Sequence, residues 1–281
     1  MVLITKLAVA AAVVALLAAL VDWRTALAAA AAADPFWLAA ALAVSMLGVV
    51  ISAEKWRGLL NDGSFRLGLG AAARLYWIGA FFSNFLPTSV GGDAARLLLT
   101  PAPGRKVHVA SSIFVERLTG FLVLLLLCAT AVAAGPHLLG IPALPPALTS
   151  LVIALAAAAG ALVLLPNPLR RLHALVTRRL PPPLRRPGRV LARLAASVAR
   201  RTRDGRALGR ALLWSVPFYL AVFLAQYCAL RAVGAELPLL GVLLLGGIVQ
   251  LLAALPISLN GLGVAEAAFV GLYAALGVPP H

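Results

Sequence analysis

Two short stretches of the sequence place a carboxylate after residues that break helices. Residues 86–93 read LPTSVGGD and residues 255–266 read LPISLNGLGVAE, so each opens with Leu-Pro-x-Ser and reaches Asp93 or Glu266. Both adjoin long apolar runs. Irregular backbone at membrane depth is tolerated only against protein or a wet cavity, where unwound backbone can meet a polar ligand. We therefore predict two breaks that line a cavity.

Prolines and glycines carry these breaks, because they remove a backbone donor or relax the backbone. The predicted helix-break positions are Pro87, Gly91, Gly92, Pro256, Gly261 and Gly263. Ser258 and Asn260 either contact a ligand or satisfy the broken backbone themselves. Asp93 is interpreted as the N-cap of the next helix or as a carboxylate in a polar pathway, and Glu266 as a helix-dipole partner or as a ligand.

An acidic and a basic residue lie side by side inside the apolar stretch SSIFVERLTGFLVLLLL. Glu116 and Arg117 are about ten residues into the apolar run that begins near 107. Adjacent helical residues point about 100° apart, so each needs a partner elsewhere, or water. Ionisable groups in a span usually mark a pathway. We predict substrate binding for both, with a structural buried pair as the alternative. Arg96 is either a ligand for a headgroup phosphate or a snorkelling interfacial arginine.

Composition indicates an all-α, polytopic membrane protein. Hydrophobic residues make up 62% of the 281 positions and charged residues only 12%, whereas soluble domains are about half apolar and about a quarter charged. The net charge of +15 does not indicate nucleic-acid binding, because Lys and Arg lie between apolar segments and no zinc-finger or RNA-binding signature accompanies them. Cys128 and Cys228 lie inside apolar runs, and we expect no metal and no other cofactor.

The apolar runs predict about six to eight membrane segments in one domain covering 1–281. They fall at roughly 3–21, 36–53, 75–90, 107–135, 147–166, 211–232, 239–259 and 262–278. The first is interpreted as an uncleaved span, with a signal peptide as the alternative. A spanning helix needs about 20 apolar residues, so 75–90 and 262–278 are short. Short, interrupted segments in two halves, 1–135 and 211–281, predict re-entrant helices in an inverted repeat.

Charge predicts the orientation. Residues 167–210 hold 13 of the 24 Lys and Arg residues, and the linkers 54–74 and 94–106 are also basic, whereas 136–146 has none. The positive-inside rule puts the basic segments in the cytoplasm, so 75–90 enters the inner membrane and returns. Residues 167–210 also contain amphipathic stretches that we expect to contact an anionic leaflet, a solvated loop being the alternative.

Three stretches taken together, FFSNFLPTSVGGDAARL, ASSIFVERLTGF and LPISLNGLGVAEAAF, resemble the lysylphosphatidylglycerol synthase transmembrane-region family. The resemblance covers the chain from the second span onward and implies an inner-membrane protein with re-entrant helices that moves a lipid between leaflets. The signature positions that it carries over are Pro87, Gly91, Gly92, Asp93, Arg96, Glu116, Arg117, Pro256, Ser258, Asn260, Gly261, Gly263 and Glu266. The sequence ends at His281 without the soluble aminoacyl-transferase domain of bifunctional members, so we expect that it does not make aminoacyl lipids and that its substrate need not be one. The resemblance leaves open an aminoacyl or other phospholipid, or a polyprenyl-phosphate carrier.

Three functions follow from these features. The first is a lipid flippase or transporter, which is not an enzyme and has membrane lipids as its partners. The second is a membrane-embedded transferase in which Asp93 and Glu116 act as bases or metal ligands. The third is a scaffold that recruits a lipid-modifying enzyme through 167–210, or assembles as a homo-oligomer. No Walker-type loop is present, and GVLLLGG is interpreted as a helix-packing stretch.

Overall fold

The computed structural model describes a helical protein. The described residues are 23–62, 65–85, 91–139, 150, 153–155, 157–158, 160–161, 185–235 and 238–253. Their helices are α1 (Trp23–Ala31), α2 (Pro35–Leu60), α3 (Leu69–Phe85), α4 (Gly91–Leu99), α5 (Lys106–Leu139), α6 (Arg185–Arg203), α7 (Gly205–Ala232) and α8 (Leu239–Ala253). Within these ranges there is no β-strand, only an isolated bridge between Asp62 and Phe65. The predicted all-α class is confirmed.

Three of the described helices are long and apolar enough to cross a membrane, namely α2, the Lys106–Ala133 part of α5, and α7. Helix α2 exposes large apolar side chains, including Phe36, Leu42 and Leu47, which in a bilayer face lipid instead of water. The total of six to eight segments, the first span and the second half of the inverted repeat depend on residues outside the described ranges, and they stay predictions.

Capping residues define where two of the spanning helices begin. Asp34 precedes Pro35 at the start of α2, and its carboxylate accepts a hydrogen bond from the backbone N–H of Phe36 at 2.8 Å. Asp204 does the same for α7, accepting from the N–H groups of Arg206 and Ala207 at 3.1 Å. Each acid satisfies backbone donors that have no partner inside the helix.

The helices extend beyond the apolar pattern at several points. The run 36–53 ends where Glu54, Lys55 and Arg57 lower the local hydropathy, yet α2 continues to Leu60. Residues 94–99, predicted as part of a linker, belong to α4. Helix α5 continues past 135 to Leu139. In each case charged or helix-weakening residues end the apolar pattern, while backbone hydrogen bonding continues the helix.

Helices α2 and α7 pack along each other, and α8 packs against α5 and α7. The predicted packing role of GVLLLGG holds at Gly246, where an added Cβ would lie 2.7 Å from Cδ1 of Phe223. Such a contact is too short for a methyl group, so glycine lets α8 approach α7 closely. Cys128 and Cys228, which lie inside apolar runs of the sequence, are both buried and free.

Two apolar clusters lie side by side in the fold. One contains Val115, Leu125 and Phe223 and joins α5 to α6, α7 and α8. The other contains Trp56 and Ile113 and joins α2, α3 and the first turns of α5. Since Ile113 and Val115 flank the same part of α5, the two clusters meet just before Glu116, and this junction positions the polar groups described next.

Candidate functional site

The short helix α4 lies directly against α3. An added Cβ on Gly92 would collide with the carbonyl oxygen of Gly79 and the hydroxyl of Ser83, so only glycine permits this approach. On the facing side, an added Cβ at Gly79 would lie 3.0 Å from Cγ of Arg96. The two glycines therefore bring α4 close enough for its charged side chains to reach α5.

Arg96 projects from α4 into the interior and is only 2% exposed. Its Nη2 donates to Oδ1 of Asp93 at 2.7 Å, and its Nη1 donates to Oε2 of Glu116 at 3.0 Å. The guanidinium also lies over two aromatic rings, 4.9 Å from the centroid of Trp56 and 4.2 Å from that of Tyr76. Two carboxylates and two π faces thus compensate a buried cation that would otherwise be costly.

Glu116 and Arg117 point in different directions, as their adjacent positions predict. The Arg117 side chain is 59% exposed, and its Nε and Nη2 donate to the two oxygens of Asp93, each at 2.9 Å. Glu116 is buried. It has Arg96, not its sequence neighbour, as its ionic partner. The expectation that each residue finds its partner on another element is confirmed.

Two further side chains complete the cluster, and Trp56 supports it from outside. The Tyr76 hydroxyl donates to Oε1 of Glu116, and the buried Lys55 ammonium donates to the backbone carbonyl oxygen of Glu116 at 2.8 Å. The Trp56 indole N–H donates to Oγ of Ser112 at 3.1 Å, which orients the ring beneath Arg96. We call Lys55, Tyr76, Asp93, Arg96, Glu116 and Arg117 the ionic cluster.

Sequence reasoning missed Lys55, Trp56 and Tyr76. From the sequence alone, the position of Lys55 just after the apolar run 36–53 favours an interfacial anchor. A signal was present nevertheless: Lys55 and Trp56 fall inside the helical repeat of α2, and both are buried. Their neighbours Glu54 and Arg57 form a separate pair at 2.6 Å. The neighbouring pair therefore does not belong to the ionic cluster.

Two predictions about the first break need correction. Gly91, Gly92 and Asp93 form the first turn of α4, so the unwound stretch does not extend as far as Asp93. Asp93 is the third residue of the helix and accepts hydrogen bonds from Arg96 and Arg117, so its carboxylate is an ion-pair partner and not an N-cap. Arg96 is buried and paired, which excludes the snorkelling role. Glycine serves close packing here and does not unwind the chain.

The remaining predicted site residues lie outside the described part of the chain. They are Pro87, Pro256, Ser258, Asn260, Gly261, Gly263 and Glu266. All members of the ionic cluster lie on α2, α3, α4 and α5.

The cluster has an excess of positive charge. It contains three basic side chains, Lys55, Arg96 and Arg117, and two acidic side chains, Asp93 and Glu116. The most exposed member is Arg117, whose planar guanidinium suits two-point binding of phosphate or carboxylate. The arrangement can therefore bind an anion at its exposed end while its buried end stays compensated.

A second polar group fastens α6 to the rest of the protein. Arg201 donates to Oγ of Ser111 at 3.0 Å and to the carbonyl oxygen of Leu59, and its Nη2 lies 2.9 Å from Nδ1 of His108. Oγ of Ser197 lies 2.8 Å from Oγ of Ser111. The described part of this amphipathic region, Arg185–Arg203, is thus a docked helix, and Arg201 is not a merely solvated arginine.

The chain was also compared with known proteins. The family described as lysylphosphatidylglycerol synthase TM region matches residues 3–281. Comparisons with curated proteins and with solved structures gave no significant match. Since the match covers nearly all of the sequence and agrees with the apolar helices, the chain is a multi-pass membrane protein and belongs to the lysylphosphatidylglycerol synthase transmembrane-region family.

Proposed function

We propose that the protein moves a phosphate-bearing lipid between the leaflets of the inner membrane and is not itself an enzyme. The observation that carries this proposal is the chain of ion pairs from Arg117 through Asp93 and Arg96 to Glu116. It leads from an exposed guanidinium to a buried carboxylate within helices of a membrane protein. Ionisable side chains within membrane segments are energetically costly, and they usually mark the path of a polar substrate.

The exposed end of the cluster suits an amphiphile. Phe114, which is exposed, lies one turn before Arg117 on the same face of α5. A headgroup phosphate bound by Arg117 would place the lipid's apolar part beside Phe114 and in the bilayer. The phosphate would compete with Asp93 for Arg117, and Asp93 would remain paired with Arg96. Because Arg117 would exchange Asp93 for the phosphate while Asp93 keeps Arg96, the headgroup could enter without leaving an unpaired charge.

Helices α3 and α4 supply the route in this proposal. Helix α4 has nine residues, which makes it about 13 Å long. That is less than half the thickness of a bilayer core of about 30 Å. It packs on α3 through Gly79 and Gly92. We interpret the pair as a re-entrant element that carries the headgroup site into the membrane from the cytoplasmic side.

The pairing of the carboxylates favours transport over transfer chemistry. Asp93 contacts Arg96 and Arg117, and Glu116 contacts Arg96. Each carboxylate already has an arginine as its ionic partner. This arrangement is suited to exchanging a guanidinium between a carboxylate and an anionic headgroup.

Reconstitution in liposomes tests the proposal. Headgroup-labelled phosphatidylglycerol, a cationic aminoacyl lipid and a polyprenyl phosphate are compared by the rate at which each label becomes inaccessible to an external quencher. We expect movement of at least one class, and loss of that movement in Arg117→Gln and in the double variant Asp93→Asn, Glu116→Gln. Arg57→Gln, which removes an arginine of α2 outside the cluster, is the matched control and should transport normally.

Three results would contradict this proposal. Full transport in the folded Asp93, Glu116 double variant would separate transport from the ionic cluster. No movement of any lipid class by folded protein, together with product formation from a lipid-linked donor, would instead establish a transferase. Lipid modification that depends on a co-purifying enzyme would favour the scaffold.

A further inference from the structure

A cleft of about 370 Å³ lies between the beginning of α5 and α6. Its walls include Gly104, Arg105, His108, Arg193, Ser197 and Arg200. None of these residues belongs to the ionic cluster. The cleft is therefore a separate site, and neither its position nor its chemistry depends on transport.

The lining of the cleft is strongly basic. Arg193, Ser197 and Arg200 are spaced four and three residues apart, which puts them on one face of α6. Both arginines are exposed. No carboxylate among the described residues forms an ion pair with either of them. Arg105 on the opposite wall has its Nη1 3.5 Å from Oδ1 of Asp62. Three guanidinium groups with one carboxylate nearby favour binding of an anion, and the planar fork of arginine matches the geometry of phosphate.

The helix that carries two of these arginines is held in place. Arg201 fastens it to α2 and α5 through Leu59, Ser111 and His108. Arg200 is its immediate neighbour and points instead toward the cleft. A site that is fixed before its ligand arrives loses less entropy on binding than a flexible basic loop does.

Apolar side chains next to the cleft indicate the source of the phosphate. Val190 lies one turn before Arg193 on α6 and is 57% exposed, and Leu191 is exposed as well. An amphipathic helix with apolar and cationic groups at one edge is typical of segments that rest on an anionic leaflet. We propose that the cleft binds the phosphate of an anionic phospholipid headgroup, while Val190 contacts the acyl region.

Photocrosslinking tests this assignment on the full-length protein. The protein is placed in phosphatidylcholine nanodiscs that contain a phosphatidylglycerol with a photoreactive headgroup, and labelled peptides are identified by mass spectrometry. We expect label on α6 and on the start of α5. In the double variant Arg193→Gln, Arg200→Gln, the amount of label on these peptides should fall about tenfold, which corresponds to about 1.4 kcal/mol of binding free energy.

The double variant Arg203→Gln, Arg206→Gln is the matched control, because it removes the same charge from exposed arginines outside the cleft. Its labelling should stay close to that of the natural sequence. An equal loss in both double variants would overturn the proposal, since general surface charge would then explain the binding. No label at these peptides in the natural sequence would overturn it as well.

Soluble competitors distinguish the two sources of phosphate. If millimolar inorganic phosphate or glycerol 3-phosphate abolishes the labelling, the cleft binds a soluble phosphate compound, and the lipid assignment is overturned. Labelling that resists these competitors but falls with unlabelled phosphatidylglycerol supports the lipid. The transport assay on the same variants separates this site from the ionic cluster, because loss of labelling with normal transport supports a distinct site.

Discussion

Arg96 and Glu116 form a buried ion pair, with 3.0 Å between Nη1 and Oε2, that joins the short helix α4 to the spanning helix α5. Both residues are nearly inaccessible. A buried pair contributes little net stability compared with apolar residues, but removing one partner leaves an uncompensated charge. The pair therefore specifies where α4 sits.

Replacement of Arg96 by Met should destabilise the protein strongly. It leaves the Glu116 carboxylate buried without its cation, which typically costs about 3–5 kcal/mol. Arg57→Met, which breaks the partly exposed pair with Glu54, should cost no more than about 1 kcal/mol. Unfolding in detergent by added denaturant measures both. Equal losses of unfolding free energy in the two variants would show that the buried Arg96–Glu116 pair matters no more for stability than the partly exposed Arg57–Glu54 pair.

A double-mutant cycle should detect coupling between Arg96 and Glu116. Because the residues are in contact, the effects of Arg96→Met and Glu116→Gln on unfolding should fail to add by about 1 kcal/mol or more. The double variant should accordingly be more stable than the sum of the single losses implies. Additive effects would contradict the ion pair as the link between α4 and α5.

Arg117 should matter for transport more than for stability. Its side chain is largely exposed, so Arg117→Gln leaves Asp93 paired with Arg96. We expect the transport rate to fall by about tenfold, as for loss of an interaction of about 1.4 kcal/mol in the rate-determining state. The melting temperature should change little. Arg117→Lys should restore transport only in part, because an ammonium lacks the planar fork. Full rescue by lysine would show that charge alone suffices.

Gly92→Ala should disturb the packing of α4 on α3. The new methyl group meets the Gly79 carbonyl oxygen, which is backbone and cannot turn aside. Gly209→Ala is the control, since nothing lies within 4 Å of a Cβ there. In a helix that exchange should stabilise by up to about 1 kcal/mol. Thermal melts of the two variants should therefore shift in opposite directions, and a neutral Gly92 variant would refute the close approach.

Arg201→Met should release α6 while leaving the ionic cluster intact. The substitution removes the donors that reach Ser111 and the Leu59 carbonyl oxygen, and hydrogen bonds from charged groups contribute about 1.5–3 kcal/mol. Limited proteolysis at the arginines of α6 should become faster than in Arg203→Met, whose side chain is exposed. Equal rates would show that Arg201 does not hold the helix.

Composition and motif by themselves determined much about this protein. The high apolar fraction predicts a helical membrane protein, because so much apolar side chain requires lipid as its solvent. The motifs around Asp93, Glu116 and Arg117 indicate the family, and the 100° step along a helix predicts that Glu116 and Arg117 have different partners. These inferences need only local rules and composition, which do not depend on how the helices pack.

Tertiary structure alone decided which distant groups meet. Lys55 reads as an interfacial residue, and Tyr76 as an ordinary aromatic, until α2 and α3 bring both to Glu116. Gly92 reads as a helix breaker until the carbonyl of Gly79 shows that its role is close packing. Arg201 reads as one of many loop arginines until it reaches Leu59 and Ser111. Local patterns report the hydropathy and flexibility of each residue, but a partner tens of residues away is determined by how the helices cross, which no single segment encodes.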